Sequence, residues 1–353
     1  YGGHDCFDLG GKYNVVRNNV FHNEEAYFQD TGGNCTNSPS SGYFGNRNLI
    51  VTNYTGLQSQ YNLIEGNRLG HAGTPPDGQG ANGIENAGAN MIVRYNAIFG
   101  NGQAGILFKS QSSGFHSSNN RVFNNTIYKN GFGDTDLNSG FMNGIHITAY
   151  TLKVVTNGGN TYTCIKTHTS QASNEPGVGA SWETYWSLTG TGGLAWSTGT
   201  TYVSENLPKD NIIKNNIVYA NKNEKSDDAV WGLINTYSNN LNTYPGWDNN
   251  DTSDKASLVD PSLRLLSTSS TALDQGTYLT LASGAGDNNA TLHVDDALYF
   301  QDGTWGSSLS NIQADWIAIG TVTNVVQIRS IDYATNTITL ASPMTWADDA
   351  PIW

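Results

Sequence analysis

Four side chains able to exchange protons or hold a cation recur at related places in the sequence: Asp8, Glu85, Lys109 and His146. Each lies in a short apolar segment: Cys6-Phe7-Asp8, Gly83-Ile84-Glu85-Asn86, Gly105-Ile106-Leu107-Phe108-Lys109 and Gly144-Ile145-His146-Ile147-Thr148, with Gly232-Leu233-Ile234-Asn235 as a fifth copy. Strand alternation turns Phe7, Ile84, Ile106, Ile145 and Leu233 inward and their successors outward. If such strands stack about 4.8 Å apart, Asp8, Glu85, Leu107, His146 and Ile234 form one outward column, with Lys109 and Thr148 two positions further on. Lys109 and His146 then serve as proton acceptor or donor, and Asp8 and Glu85 offer the hard oxygen ligands that suit Ca²⁺. The plainer alternative is a solvated polar face, and Leu107 and Ile234 within the column speak for it.

The elements that must position this column are visible in a second repeat. Six segments share an apolar residue, two variable positions, an asparagine and one further position, usually closed by another apolar residue. They are Val16–Phe21, Ile50–Thr55, Ile64–Leu69, Val93–Ile98, Val122–Ile127 and Ile213–Val218. A unit this short cannot bury an apolar face alone, so it must stack on copies of itself as a solenoid. A buried asparagine at the same bend of every coil can bond the backbone and the asparagine above it. Asn67, Asn96 and Asn125 are 29 residues apart, room for three short strands and their loops. The 14 residues from Asn53 to Asn67 are too few for a coil, so one copy lies on a different side or the segment is a partial coil. The 91 residues from Asn125 to Asn216 are one coil with a large insertion. The position two before each asparagine holds Arg17, Val51, Glu65, Arg94, Phe123 and Lys214, either an interrupted basic strip or an ordinary mixed surface.

Composition narrows the partners. The chain has 353 residues, 40 of them glycine, with only 13% charged, which suits many tight turns. A net charge of −13 argues against nucleic acid, whose binding draws on clustered Lys and Arg. No apolar run reaches the roughly 18 to 20 residues that insertion into a bilayer needs. The sequence opens at Tyr1, within a repeat and without methionine, and reads as a mature or excised form. Cys6 and Cys35 are placed to pair across neighbouring coils in an oxidising compartment; equally, they and Cys164 are buried thiols. His4, His22, His71 and His116 fall in loops without zinc spacing. His71 precedes the Pro75-Pro76-Asp77-Gly78 turn, which is placed to overhang the Glu85 strand as a cleft wall.

The Gly-Ile-X-X strands alternating with Asn-Asn-X-Ile segments resemble the right-handed parallel β-helix repeats of the pectate-lyase-like superfamily, over residues 1–149 and 205–277. Ser257–Pro261 followed by Thr271–Gly276 is similar to the final coil of many secreted members. Residues 150–204 have another composition: Gly159–Ser170, Glu175-Pro176 and Trp182 resemble small chitin-binding-type carbohydrate modules. The Trp196–Tyr202 piece that normally opens such a module comes last, as if the module were permuted into a loop. Flat aromatic faces stack on sugar rings as on other apolar partners. Of Tyr162, Trp182, Tyr185, Trp186, Trp196 and Tyr202, the expectation is that Trp182, Tyr185 and Trp186 are exposed. Residues 278–353 read as alternating strands of a β-rich module that caps the solenoid end and covers its edges.

The expected fold class is therefore all-β: a parallel β-helix solenoid with a small inserted β module and a C-terminal β-rich module. The resemblance implies an extracellular or cell-surface protein that binds a polysaccharide and cleaves it, as a lyase ahead of a glycoside hydrolase. In a lyase, Lys109 or His146 removes the proton beside a uronate carboxylate, and Ca²⁺ held by Asp8 and Glu85 neutralises that carboxylate. Arg94 and His71 join the aromatic residues as sugar contacts. A hydrolase needs two carboxylates about 5 to 10 Å apart, which Asp8 and Glu85 supply only if their strands are adjacent or one coil apart; the short motifs with aspartate pairs that the family's hydrolases usually carry are not found. The rival expectation is a non-catalytic adhesin, tail fibre or filament subunit that self-associates through its ends or its insertion.

Overall fold

The computed structural model describes residues 5–22, 28–29, 35–36, 47–51, 57–72, 82–110, 115–131, 143–148, 154–166, 168–190, 194–202, 208–219, 221, 235–238, 240–242, 276–304 and 313–353. Short strands of the first 242 residues distribute in rotation among three parallel sheets. The first sheet holds Asp5–Leu9, Arg47–Val51, Ile84–Asn86, Ile106–Lys109 and Ile145–Thr148. The second holds Val15–Arg17, Leu63–Glu65, Ile92–Arg94, Arg121–Phe123, Ile212–Lys214 and Thr236–Ser238. The third holds Val20–His22, Arg68–Gly70, Ala97–Phe99, Thr126–Tyr128, Ile217–Tyr219 and Leu241–Asn242. This is the parallel β-helix that the repeat predicts.

The middle residue of the short strands in the second and third sheets points inward, whereas in Ile84–Asn86 of the first sheet it is the first residue, Ile84. Val16, Ile64, Val93, Val122 and Ile213 from the second sheet meet Leu69, Ile98, Ile127 and Val218 from the third and Leu49, Ile84, Ile106 and Ile145 from the first in one apolar column. Burial of each such side chain contributes about 1.5 to 3 kcal/mol. Phe7 belongs to this inward row and faces Phe21 at 6.1 Å. It is nonetheless 40% exposed, because it lies on the first coil rather than between two others.

The corners are set by asparagine. The ladder expected from the sequence runs Asn19, Asn67, Asn96, Asn125, Asn216, with Asn240 as a further rung, each amide donating to the next Oδ1 at 2.9 to 3.3 Å. A second ladder links Asn14 to Asn62 and Asn120 to Asn211 and Asn235, with Met91 in the gap. A third joins Asn48, Asn101, Asn130 and Asn221. The residue before the rung is in the left-handed region: Asn18, Gly66, Tyr95, Asn124 and Asn215 before the first ladder, Tyr13, Tyr61, Asn90, Asn119 and Asp210 before the second, His71, Gly100 and Lys129 before the third. That conformation turns the chain sharply but disfavours most side chains. The ladder bonds offset its cost.

The Gly-Ile motif has a steric cause. A Cβ on Gly83 would lie 2.6 Å from the Gly105 carbonyl oxygen, and one on Gly105 would lie 2.6 Å from that of Gly144. Only glycine lets this turn nest against the third ladder. The short spacing around Asn53 is explained too. Arg47–Val51 pairs with Asp5–Leu9 and Ile84–Asn86, so it is a strand of the first sheet and not a copy of the ladder segment. Val51 accordingly leaves the predicted strip, and Asn53 lies outside the described residues. So do Leu233, Ile234 and the Ser257–Gln275 stretch read as a final coil.

Two further units complete the chain. In the insertion, Val154–Asn157, Asn160–Cys164, Trp186–Gly190 and Leu194–Ala195 form a four-stranded sheet around Val155, Tyr162, Cys164 and Trp186. The C-terminal unit is a four-stranded antiparallel sheet of Gly286–His293, Thr337–Trp346, Val325–Asp332 and Trp316–Ala318. It does not dock where an end cap was expected. Leu63, Ile92 and Phe123, which face outward from the second sheet, are buried in one cluster with Leu279, Tyr299, Phe300 and Ile317. The unit thus lies along the side of the helix, because that sheet presents the apolar face that must be covered.

Candidate active site on the first sheet

The register of the first sheet places Asp8 opposite Ile50, Ile50 opposite Glu85, Glu85 opposite Leu107 and Leu107 opposite His146. The predicted column exists, with Ile50 inserted between the two carboxylates. It is not a solvated face: Glu85 is 3% and His146 8% exposed, and Ile50 and Leu107 are buried, whereas Asp8 is exposed.

Glu85 organises this face. Its Oε2 accepts from Arg47 Nε and from Asn82 Nδ2 at 3.1 Å, and its Oε1 accepts from Lys109 Nζ. Burial pushes the Glu85 carboxyl up, but the charges of Arg47 and Lys109, with their hydrogen bonds, outweigh it and hold the group below the usual carboxylate range. The carboxylate therefore stays ionised beneath two cations that each retain a little access to solvent, 18% for Arg47 and 19% for Lys109. One strand beyond Leu107, Asn143 Nδ2 lies 2.8 Å from His146 Nδ1. With the amide nitrogen donating, the His146 proton sits on Nε2; with the amide turned over, Nδ1–H donates and Nε2 becomes the base.

Sequence reasoning missed Arg47, Asn82 and Asn143. A signal was there: each asparagine lies three residues before the site residue it supports, Asn82 before Glu85 and Asn143 before His146. Arg47 was hidden because its strand had been read as a ladder segment.

The residues do not fit a shared cation. Glu85 has both oxygens engaged, Asp8 stands two strands away, and no cluster of three or more His, Cys, Asp or Glu able to hold a metal occurs among the described residues. The Asp8 and Glu85 backbones stand about 10 Å apart, at the limit of a hydrolase pair, and both Glu85 oxygens are already engaged, so these two carboxylates are not set for hydrolysis.

The expected sugar contacts divide. Trp186 is buried, 1% exposed, with its indole N–H donating to the Asn174 carbonyl at 2.9 Å, so it is core rather than platform. Trp182 and Tyr185 are half-buried against the same core, Trp182 edge-on to Tyr162 and Tyr185 beside His168. Arg94 is buried in the seam with the C-terminal unit, where its two terminal nitrogens grip Asp315 at 2.6 and 2.7 Å and its Nε donates to Glu65 at 2.6 Å. Burial opposes its charge, but Asp315 and Glu65 hold the guanidinium firmly protonated. It offers nothing to a ligand outside. His71 is half-buried at a third-ladder corner, edge-on to His22 and Phe99; the Pro75–Gly78 turn lies outside the described residues.

Cys6 Sγ lies 3.8 Å from Asn48 Oδ1, and the expected pairing with Cys35 falls on a side chain outside those described. Cys164 is a thiol; burial pushes it up to about 11 against a hydrogen bond to the Lys166 carbonyl. No helix among the described residues is long and apolar enough to cross a membrane.

Comparison with known proteins adds little to this geometry. No protein-family model matches the chain, and no curated protein does. Among solved structures it is similar to an alginate lyase from Paenibacillus sp. str. FPU-7, with 19% identity over 56% of this chain and a TM-score of 0.25. The chain spans 63% of that enzyme. A likeness at that level bears on neither activity nor site.

Proposed function

We propose that the first sheet carries the active face of a polyuronate lyase. The observation that supports this reading is the pair of cations, Arg47 and Lys109, held at the surface by one buried carboxylate, with His146 on the next strand from Lys109. Lys109 is two residues along from the position opposite His146, so their backbones stand about 8 Å apart, room for one sugar residue between the side chains. β-Elimination at a uronate needs the carboxylate neutralised, the adjacent C5 proton removed and the leaving oxygen protonated. Arg47 neutralises the carboxylate, which lowers the cost of the developing carbanion. His146 Nε2 takes the C5 proton, with Nδ1–H turned to Asn143. The C5–H electron pair forms the C4–C5 double bond, the C4–O bond breaks, and the Lys109 ammonium gives its proton to the departing oxygen. Trp182 and Tyr185 add apolar surface for the polymer. An extracellular or cell-surface place belongs to the same proposal, since that is where such polymers occur.

The test is depolymerisation of alginate and polygalacturonate, followed by the absorbance of the unsaturated product. Wild type yields it, His146→Ala abolishes it, and Arg47→Gln reduces it by raising KM and lowering kcat together. Production of reducing ends without the unsaturated chromophore would overturn the lyase reading.

A second reading is favoured by the burial of the column. Glu85 under two cations is then a structural pin between strands of a non-catalytic glycan-binding or scaffold protein. On that reading the wild type is inactive on every polyuronate, while Lys109→Met lowers thermal stability.

A further inference from the structure

The third sheet faces outward with a different chemistry. In a chain of net charge −13, none of its six strands holds an aspartate or glutamate. The first sheet contains Asp5, Asp8 and Glu85, and the second contains Glu65. What the third sheet presents instead is a run of aromatic and cationic side chains. His71 stands edge-on between His22 and Phe99, with ring centroids 5.1 and 5.4 Å away. Tyr128 follows Phe99 in register on the next strand. The Arg68 guanidinium lies over the Phe99 ring at 5.1 Å, and the Lys129 ammonium lies over Tyr128 at 5.0 Å.

Two glycines allow this arrangement. A Cβ on Gly70 would meet the Phe99 ring at 2.7 Å, and one on Gly100 would meet the His71 ring at 3.3 Å. The rings therefore fit against neighbouring coils, and each cation has an aromatic face beside it. A guanidinium stacked on a ring keeps its donor fork in one plane, which matches a carboxylate. Phe99 and Tyr128 are paired on neighbouring strands, so the two rings that carry the cations follow one another along the axis at about 5 Å, one strand spacing.

We infer that the outward face of the third sheet is a second binding track for a linear acidic polysaccharide, lying along the solenoid axis and separate from the first-sheet site. Arg68 and Lys129 bind carboxylates that a polyuronate repeats along its length, and the histidine rings and Phe99 border the sugar faces between them. The occupant is set by charge complementarity. A neutral glycan has no partner for the two cations, and two cations are fewer than the clustered Lys and Arg from which nucleic-acid binding draws its affinity. The inference does not depend on catalysis at the first sheet.

Affinity electrophoresis through gels containing polygalacturonate, or its fully methyl-esterified form, tests it. The wild type is expected to be retarded by the acid and not by the ester. Arg68→Gln/Lys129→Gln is expected to weaken retardation at least fivefold, and Phe99→Leu to weaken it partly, by releasing Arg68 from its ring. A control pair with the same change in net charge, Lys12→Gln/Arg329→Gln, alters exposed cations elsewhere and is expected to behave as wild type. Release of the unsaturated product, which scores the lyase reading, is followed in parallel with retardation, so the two ideas fail separately. Equal loss in the control pair would reduce the effect to general charge and overturn the inference. Undiminished retardation of the Arg68/Lys129 pair, or absence of retardation in the wild type, would overturn it as well. Circular dichroism of each variant confirms that an unfolded protein is not being scored.

Discussion

Replacement of Glu85 by glutamine tests the centre of the first-sheet site. The side chain keeps its shape but loses the charge that two cations share. In the wild type Glu85 is 3% exposed, and Arg47, Lys109 and Asn82 engage its two oxygens. At an effective dielectric of about 20, one charge pair at contact is worth roughly 4 kcal/mol, from which desolvation subtracts. Breaking a buried pair by removing one partner costs about 3 to 5 kcal/mol, because the other partner is left uncompensated. Here two cations lose their counter-charge, but both keep partial access to water. The expected loss at neutral pH is therefore about 3 to 4 kcal/mol. Since the folded carboxyl is held below its ordinary value of 4.5, this stability is fully present above that value and is lost as pH falls through the lower folded one. The gap between wild type and Glu85→Gln is thus constant from neutrality to about the ordinary value and closes below it. Urea denaturation at a series of pH values measures this as a shift in midpoint at unchanged slope. A loss under 1 kcal/mol, or a gap that widens in acid, would refute the reasoning.

Three other outcomes are expected. Asn96→Ala removes bonds to Asn67, Ile64, Arg94 and Asn125 inside the helix, for a loss of about 3 to 5 kcal/mol, while Asn19→Ala at the exposed end of the same ladder costs under about 1; similar values by urea denaturation would contradict the ladder account. Asp315→Ala strips Arg94 of its bidentate partner in the seam, about 2 to 4 kcal/mol, and limited proteolysis should release the C-terminal unit from the variant well before the wild type. Cys164, buried and pushed up to about 11, should resist alkylation at pH 8 in the folded protein and react at once in denaturant; equal rates would show that the insertion does not hold its core closed.

The ladder through Asn67, Asn96 and Asn125 was legible in the sequence because each rung sits inside an apolar template with fixed spacing. The other two ladders were not. Asn101 and Asn130 do follow Ile98 and Ile127 at the template spacing, but those isoleucines already close the preceding ladder segment and so hid a second reading; Asn62 has Ser59 at that position, and Met91 breaks one series outright. Asp8, Glu85, Leu107 and His146 were placed together on the outward column, but Ile50 was missed and so was the burial, since strand alternation gives direction and says nothing of what covers a face. Arg94 shows the same limit. Its position on an outward column was right, and its role in the seam depended on Asp315, 221 residues away.

The three faces of the helix differ in what they leave for a ligand. The second sheet is occupied: Arg94 is bonded to Asp315, Arg121 Nε donates to Asp296 at 2.6 Å, and Phe123 meets Tyr299 at 5.4 Å. Its basic side chains are therefore spent inside the molecule, and the interrupted strip seen in the sequence is the docking surface of the chain's own C-terminal unit. On the first sheet a single carboxylate gathers two cations and leaves a net positive charge within that cluster. On the third sheet the cations rest beside aromatic rings, which do not neutralise them. A net charge of −13 opposes an acidic polymer at long range, so binding must come from sites where positive charge is local. The first and third sheets meet that condition by different means, one by an ion cluster and one by stacking. Added salt should accordingly have opposing effects on a polyuronate, relieving the overall repulsion while weakening the local contacts, so that binding peaks at intermediate ionic strength.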